Sequence, residues 1–461
     1  MKKSIDLGQG NVTKLLFKLA IPAITAQIIN VLYNIVDRMY IGHIADIGFT
    51  ALTGVGVCFP LISIVTAFAS LMSAGSAAKA SIMLGRQDKP SAEKILGNSF
   101  SLLGACGVVL TAVLLIWGRQ LLLLFGADAE TIIYAWDYMQ IYSIGSIFVM
   151  FALGLNVFIS CQGNTKVSML STIIGAVTNI VLDPIFIFGL NMGVKGAAWA
   201  TIISQGISAI WIVGFLISKN TVIKLKIQNL KLDFKIILPC IALGFSPFIM
   251  QSTEGIINIC FNTSLLKYGG NVAVGTMTVL SSLMQFMMLP TLGFTQGAQP
   301  IISYNYGAGN TERVRKTFRS VLICCLAYSV FFAAAVMTFP TVFASLFNND
   351  AALLASIPSA MRVYFIGTTV FGIQIACQQT FIALGNAKTS VFLAILRKII
   401  LLVPLIYILP LFLENKVMAV YLAEPIADII SVITAGTMFM IYFRKVLKQM
   451  REAEKAKLLN N

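Results

Sequence analysis

Apolar runs of about 20 residues recur along this chain, and each is long enough to cross a bilayer as a helix. We expect twelve, over 14–36, 50–76, 95–117, 132–160, 167–189, 195–217, 236–262, 272–300, 317–340, 359–384, 389–411 and 417–443. The fold class is therefore an all-α polytopic membrane protein. Composition agrees: a soluble domain carries about 25% charged residues, whereas this chain of 461 carries 11%, with 58% hydrophobic. No cleaved signal peptide is expected, because Met1, Lys2 and Lys3 lead into a polar stretch and the first apolar run is long.

Positive charge orients the spans. With the first residue on the cytoplasmic side, only Arg38, Arg119, Lys195, Lys267, Arg362 and Lys416 fall on outer segments. Arg397 and Lys398 lie inside a span, and the other 25 of the 33 basic residues fall on inner segments. This bias places both termini in the cytoplasm. The net charge of +15 is thus read as a topology signal. Nucleic acid is not an expected partner: its binding would want one concentrated basic face, whereas the charge here follows the alternation of the spans.

An internal repeat divides the chain. Met139–Gly145 returns as Met361–Gly367, 222 residues later, and Gly163, Asn164 and Lys166 map onto Gly385, Asn386 and Lys388 at the same spacing. Each half holds six spans, an even number, so both enter from the same side. Two six-helix lobes related by a pseudo-two-fold axis along the membrane normal are expected. The lobes are 1–218 and 236–461, joined by a basic cytoplasmic linker over 219–235 and followed by a short amphipathic tail after Arg444. A chain of two related membrane halves usually moves something through the cleft between them.

Several chemistries have no support. The eight cysteines lie in apolar spans without metal spacing and read as small buried hydrophobes. The lone His43 reads as a loop residue. No phosphate-cradling Gly-rich motif with Lys and Ser or Thr is present, so this chain alone is not expected to hydrolyse ATP. No enzymatic activity is expected, and uphill work must come from an ion gradient or a partner.

Ionisable groups inside a bilayer are costly and usually functional or paired. The acids are Asp37, Asp183, Glu254, Glu424 and Asp428; the bases are Arg397 and Lys398. At about 1.5 Å per residue, Asp183 lies about 24 Å from the inner edge of its span and Thr201 about 9 Å from the outer edge of the next. Asp37 ends the first span, and Asn179 lies one turn below Asp183 on the same face. The four are expected to meet in the outer part of the first half. Two carboxylates, an amide and a hydroxyl form a hard-oxygen set that suits a small cation or a shared proton. An interfacial pairing of Asp37 with Arg38 is the plainer alternative. Pro184 disfavours helical geometry at Asp183 and frees carbonyls nearby. Glu254 shares its span with Gln251, Ser252, Thr253, Asn258 and Asn262, a polarity that should face a wet cavity. Arg397, Lys398, Glu424 and Asp428 all approach the midplane and are expected to pair, whether as structure or for proton coupling.

Pro22, then Asn34 to Asp37, then Gly42 resemble the first helix of the multidrug and toxic compound extrusion (MATE) transporters. Asn179 to Phe188 with Gly193 to Ala198 are similar to that family's fifth and sixth helices, and Gln296 to Pro300 with Tyr304 to Gly309 to the junction after its eighth. The resemblance covers nearly the whole chain and is nearest in character to the MepA-like bacterial branch. It implies a monomeric drug:cation antiporter of the bacterial cytoplasmic membrane, exporting amphipathic organic cations by alternating access with no cofactor beyond a coupling Na⁺ or H⁺. The family's first-lobe coupling site carries over to Asp37, Asn179, Asp183 and Thr201, with Asp37 and Asp183 as the candidate Na⁺ ligands. Its seventh-helix acid in another branch matches Glu254, but the acid which that branch uses in the tenth helix has no counterpart in 359–384, whose polar residues include Gln374, Gln378 and Gln379.

Two close aspartates repel when both are ionised, and a proton or a cation relieves that repulsion. Drug contacts are expected from Tyr142, Phe148, Met150, Met284, Phe286 and Met287, with Gln251 and Asn258 in the cleft and Glu254 as counter-charge, since flexible Met-rich surfaces suit promiscuous binding. Pro22, Pro184 and Pro247 are candidate bend points. The alternative function is a lipid-linked oligosaccharide flippase, which would want a markedly cationic cleft to hold a pyrophosphate.

Overall fold

The structure, a computed structural model, describes residues 5–347 and 351–459. Lys2 and Lys3, counted above on the inner side, lie outside the described residues. No strand occurs among the described residues. The helices are α1 (Val12–Gly42), α2 (Gly48–Gly85), α3 (Lys89–Leu124), α4 (Thr131–Ile144), α5 (Ser146–Ser160), α6 (Thr165–Pro184), α7 (Val194–Ile217), α8 (Phe234–Ala308), α9 (Thr311–Thr338), α10 (Pro340–Ser345), α11 (Ala351–Tyr364), α12 (Thr368–Ala383), α13 (Ala387–Ile395), α14 (Val403–Phe412) and α15 (Lys416–Leu459). Wider π-helical turns follow α6, at Ile185–Gly189, and α13, at Leu396–Leu402.

Among the described residues, 9 helices are long and apolar enough to cross a membrane. Two further spans are bent pairs: α4 with α5, at 58°, and Ser356–Tyr364 with α12, at 42°. The 75 residues of α8 break at Gly270, whose φ of 64° and ψ of −160° leave helical geometry, so α8 is two spans. The chain is therefore a multi-pass membrane protein of twelve spans, as the apolar runs indicate.

The sequence repeat has a local structural counterpart. The bent spans break at Gly145 and just before Gly367, the two glycines that end the repeated motif. A Cβ at Gly145 would strike Ile202, and one at Gly367 would strike Pro425 and Asp428, so both glycines permit close helix approach at the bend. Gly163 and Gly385 both adopt φ of 82°, a left-handed conformation that ends one helix and redirects the chain into the next. Outside the spans, Asp128 accepts from the Thr131 amide at 2.8 Å, the Thr131 hydroxyl at 2.7 Å and the Glu130 amide at 3.1 Å. Those bonds hold its carboxyl below the usual carboxylate range.

The chain divides into two compact units, but not at 219–235. The first comprises residues up to Leu7 with Ile21–Ser252; the second comprises Gly8–Ala20 with Thr253 onward. The expected linker is a strap bound to the first unit. Buried Glu93 takes the Lys226 ammonium at 2.5 Å and the Lys224 amide at 3.2 Å. Asn98 accepts from the Asp233 amide at 2.6 Å, and Gln162 Oε1 accepts from the Val222 amide at 2.7 Å. Its basic residues therefore do more than mark an inner segment: one of them neutralises a buried acid.

Within the first unit, α2 and the start of α8 touch through backbone. A Cβ on Gly244 would overlap the Leu71 carbonyl, and one on Gly75 the Cys240 carbonyl. Neither obstacle is the movable end of a side chain, so the helices must separate to admit a methyl. Gly244→Ala should therefore destabilise the protein by about 1–3 kcal/mol, the usual cost of overpacking. Thermal unfolding in detergent checks this; a melting temperature equal to wild type would mean that the two helices are not held this closely.

Candidate functional site

In the first unit, α1 brings Asp37 against the end of α6. Asp37 is 8% exposed, Asn179 1% and Asp183 0%. The Asn179 amide donates to Asp183 Oδ1 at 3.3 Å, and the two aspartates act directly on each other. Three oxygens of this cluster find no partner: Asp37 Oδ1, Asn179 Oδ1 and Asp183 Oδ2. Buried polar atoms are almost always paired, so three orphan acceptors side by side describe a site short of positive charge.

Local sequence builds this arrangement. Pro184 has no amide hydrogen to return to the Ile180 carbonyl, and the chain passes directly into the π turn at Ile185–Gly189. Thr201, on α7, pairs with the Tyr138 hydroxyl. The Tyr138 and Tyr142 rings stack with centroids 6.2 Å apart, and Asp37 acts electrostatically on Tyr138 and Tyr33. The structure thus brings Asp37, Asn179 and Asp183 together and joins Thr201 through Tyr138. Arg38 does not pair with Asp37; its guanidinium lies 5.8 Å from the Phe59 ring centroid. Sequence reasoning missed Tyr33 and Tyr138. Each lies one helical turn before a residue it did name, Asp37 and Tyr142, and that i,i+4 spacing was the available signal.

The second unit holds an ion-pair network. Arg397 Nε donates to Asp428 Oδ1 at 2.7 Å and its Nη2 to Glu424 Oε1 at 2.8 Å. The guanidinium also lies 4.4 Å from the Phe371 centroid. Lys398, expected to join Glu424 and Asp428, instead donates to Glu254 Oε2 at 2.7 Å. Glu254, read above as a counter-charge for substrate, therefore carries its own counter-ion, although 54% of its side chain is accessible. Both bases lie in the π turn Leu396–Leu402.

The remaining cleft residues divide. Met150 and Met287 are 0% exposed and pack inside their own units, so they offer no surface to a ligand in this conformation. Tyr142 is buried beside Tyr138, and Met284 is partly buried, its sulfur taking the Thr368 hydroxyl at 3.8 Å. Gln251 donates to Ser70 at 2.9 Å. Phe148, Phe286 and Asn258 are exposed. Pro22 follows by two residues the point where α1 passes from one unit to the other, and Pro247 precedes by five the corresponding point in α8.

The MatE family model matches residues 22–185 and 247–408. The multidrug export protein MepA of Staphylococcus aureus is 26% identical over 400 residues, covering 86% of this chain and 87% of that protein. MepA of Staphylococcus saprophyticus is 24% identical over 456 residues, covering 98% and 97%. Among solved structures, an outward-facing multidrug resistance MATE transporter of the MOP superfamily superposes with a TM-score of 0.89 at 23% identity, covering 97% of this chain and 99% of its own. A MOP superfamily transporter from Pyrococcus furiosus, described as having a binding pocket of reversed polarity, gives the same TM-score, identity and coverage.

Proposed function

Since the chain belongs to the MatE family, we propose that it is a secondary active multidrug exporter, exchanging amphipathic organic cations for Na⁺ or H⁺ by alternating access. The reading rests on one observation: three buried oxygens, from Asp37, Asn179 and Asp183, stand together without partners. A proton or a sodium ion supplies the missing positive charge. Its arrival and departure change the net charge of a buried site, and an ion that binds one conformation better than another biases the equilibrium between them. The names of the MepA relatives support the choice of drugs as cargo. Phe148 and Phe286, exposed aromatic faces, are the residues best placed to meet an apolar cation. Pro22 and Pro247, near the points where helices pass between units, are the favoured bend points. We place the protein in the bacterial cytoplasmic membrane with both termini cytoplasmic, on the 25-to-6 distribution of basic residues.

The flippase alternative needs free intramembrane bases for a pyrophosphate, whereas Arg397 and Lys398 are each engaged by acids. The test is efflux of ethidium from proteoliposomes under an imposed Na⁺ gradient or an imposed pH gradient, each alone. Transport under one and not the other supports an antiporter and identifies its ion. No transport under either overturns the reading.

A further inference from the structure

One cavity lies in the second unit and shares no residue with the network of Arg397 and Lys398. It encloses about 660 Å³ between the start of α9 and the end of α15. Arg315 and Arg319 line it from α9, one turn apart; Arg444, Lys448, Arg451 and Lys455 line it from α15, at helical spacings that put them on one face. Glu452 is the sole acid of the lining, and it reaches Lys448 at 3.9 Å.

Arg397, Lys398, Lys226, Lys195 and Lys316 each have an acid within ion-pair distance. Among the described residues, Arg315, Arg319, Arg444, Arg451 and Lys455 form no ion pair. Like charges on two facing helices repel, and an anion between them would relieve that repulsion.

The cavity also has an aromatic wall. Phe318, Phe439 and Phe443 cluster with centroids 4.4, 4.9 and 5.0 Å apart; Phe439 and Phe443 are buried behind it, so the accessible apolar surface is that of half-buried Phe318 and of Met440, 56% exposed. A soluble anion has no use for such a wall. An amphiphile does: its phosphate meets the guanidinium groups while its chains follow the aromatic surface toward the hydrocarbon.

We propose that this cavity binds the headgroup of an anionic glycerophospholipid, with Arg319 and Arg444 on the phosphate and Phe318 and Met440 against the upper acyl chain. The site is independent of the coupling acids, so a transport-dead protein should still bind lipid.

The test is native mass spectrometry of the full chain in detergent, titrated separately with phosphatidylglycerol, phosphatidylcholine and inorganic phosphate. One phosphatidylglycerol should be retained per protein, and neither of the others at the same concentration. The exposed double variant R319Q/R444Q should bind phosphatidylglycerol about 25-fold more weakly, at roughly fivefold for each basic residue near an anionic surface. Equal retention of phosphatidylcholine, equal binding by inorganic phosphate, or undiminished affinity in a double variant that still elutes as a single folded species would each overturn the proposal.

Discussion

Asp183→Asn should insert and fold like wild type yet lose ion-driven efflux. The substitution keeps the side chain's shape and removes a fully buried charge, so nothing in the packing opposes it. What it removes is the carboxylate that repels Asp37 and that, in the mechanism proposed above, attracts the coupling ion. With no differential ion affinity left to couple to, gradient-driven efflux should fall to the passive leak. Asp37→Asn should do the same, and the double variant should be little worse than either, because the two acids act as one site. The measurement is initial ethidium efflux from proteoliposomes at matched protein incorporation. Undiminished efflux by well-incorporated Asp183→Asn would remove the first-unit site from the mechanism.

Arg397→Met should be the most destructive single change to the second unit. It strands Glu424, 6% exposed, and Asp428, 1% exposed, without the guanidinium that both accept from. Breaking a buried pair by deleting one partner costs about 3–5 kcal/mol, because the surviving charge has neither water nor counter-ion. The expected result is a collapse in the monodisperse fraction on size exclusion. The triple variant R397M/E424Q/D428N leaves no charge stranded and should recover most of that fraction. Lys398→Met should be milder, since its partner Glu254 is half accessible to solvent. A monodisperse, thermally unchanged Arg397→Met would show that the network does not hold this unit together.

Much of the architecture was legible because a bilayer leaves a helix few alternatives. Twelve spans followed from apolar length alone; the repeat at 222 residues ends on Gly145 and Gly367, yet the bends there were not anticipated, because prolines are the residues that read as bend points. The grouping of Asp37, Asn179 and Asp183 was legible for a geometric reason: rise per residue converts sequence position into depth. Depth says nothing of azimuth, and that is where the reading ran out. It placed Lys398 with Glu424 and Asp428, whereas the side chain reaches Glu254 on α8. It took Met150 and Met287 as cleft residues, and both face inward in their own units. The division of the chain was also illegible. Polar composition marks where a chain leaves the membrane, but which bundle a helix packs with depends on its small residues. Gly244 against Leu71 and Gly75 against Cys240 seat the start of α8 in the first unit.

The exchange of segments between units has a consequence for how the protein is made. Residues 8–20 emerge early from the ribosome but belong to the unit that emerges last. Their partners arrive much later: Thr13 bonds Ser320, 307 positions on, and the carbonyls of Gln9 and Gly10 wait for Arg313. Ala20 must in turn meet Gly297, whose missing side chain leaves room for its backbone. Until then the opening of α1 lies in the bilayer with its mating surface bare. The first unit can close over Ile21–Ser252, but a truncated chain would leave the surface of residues 8–20 without its partner. Completion of the second half is thus the event that seals the first helix of the protein.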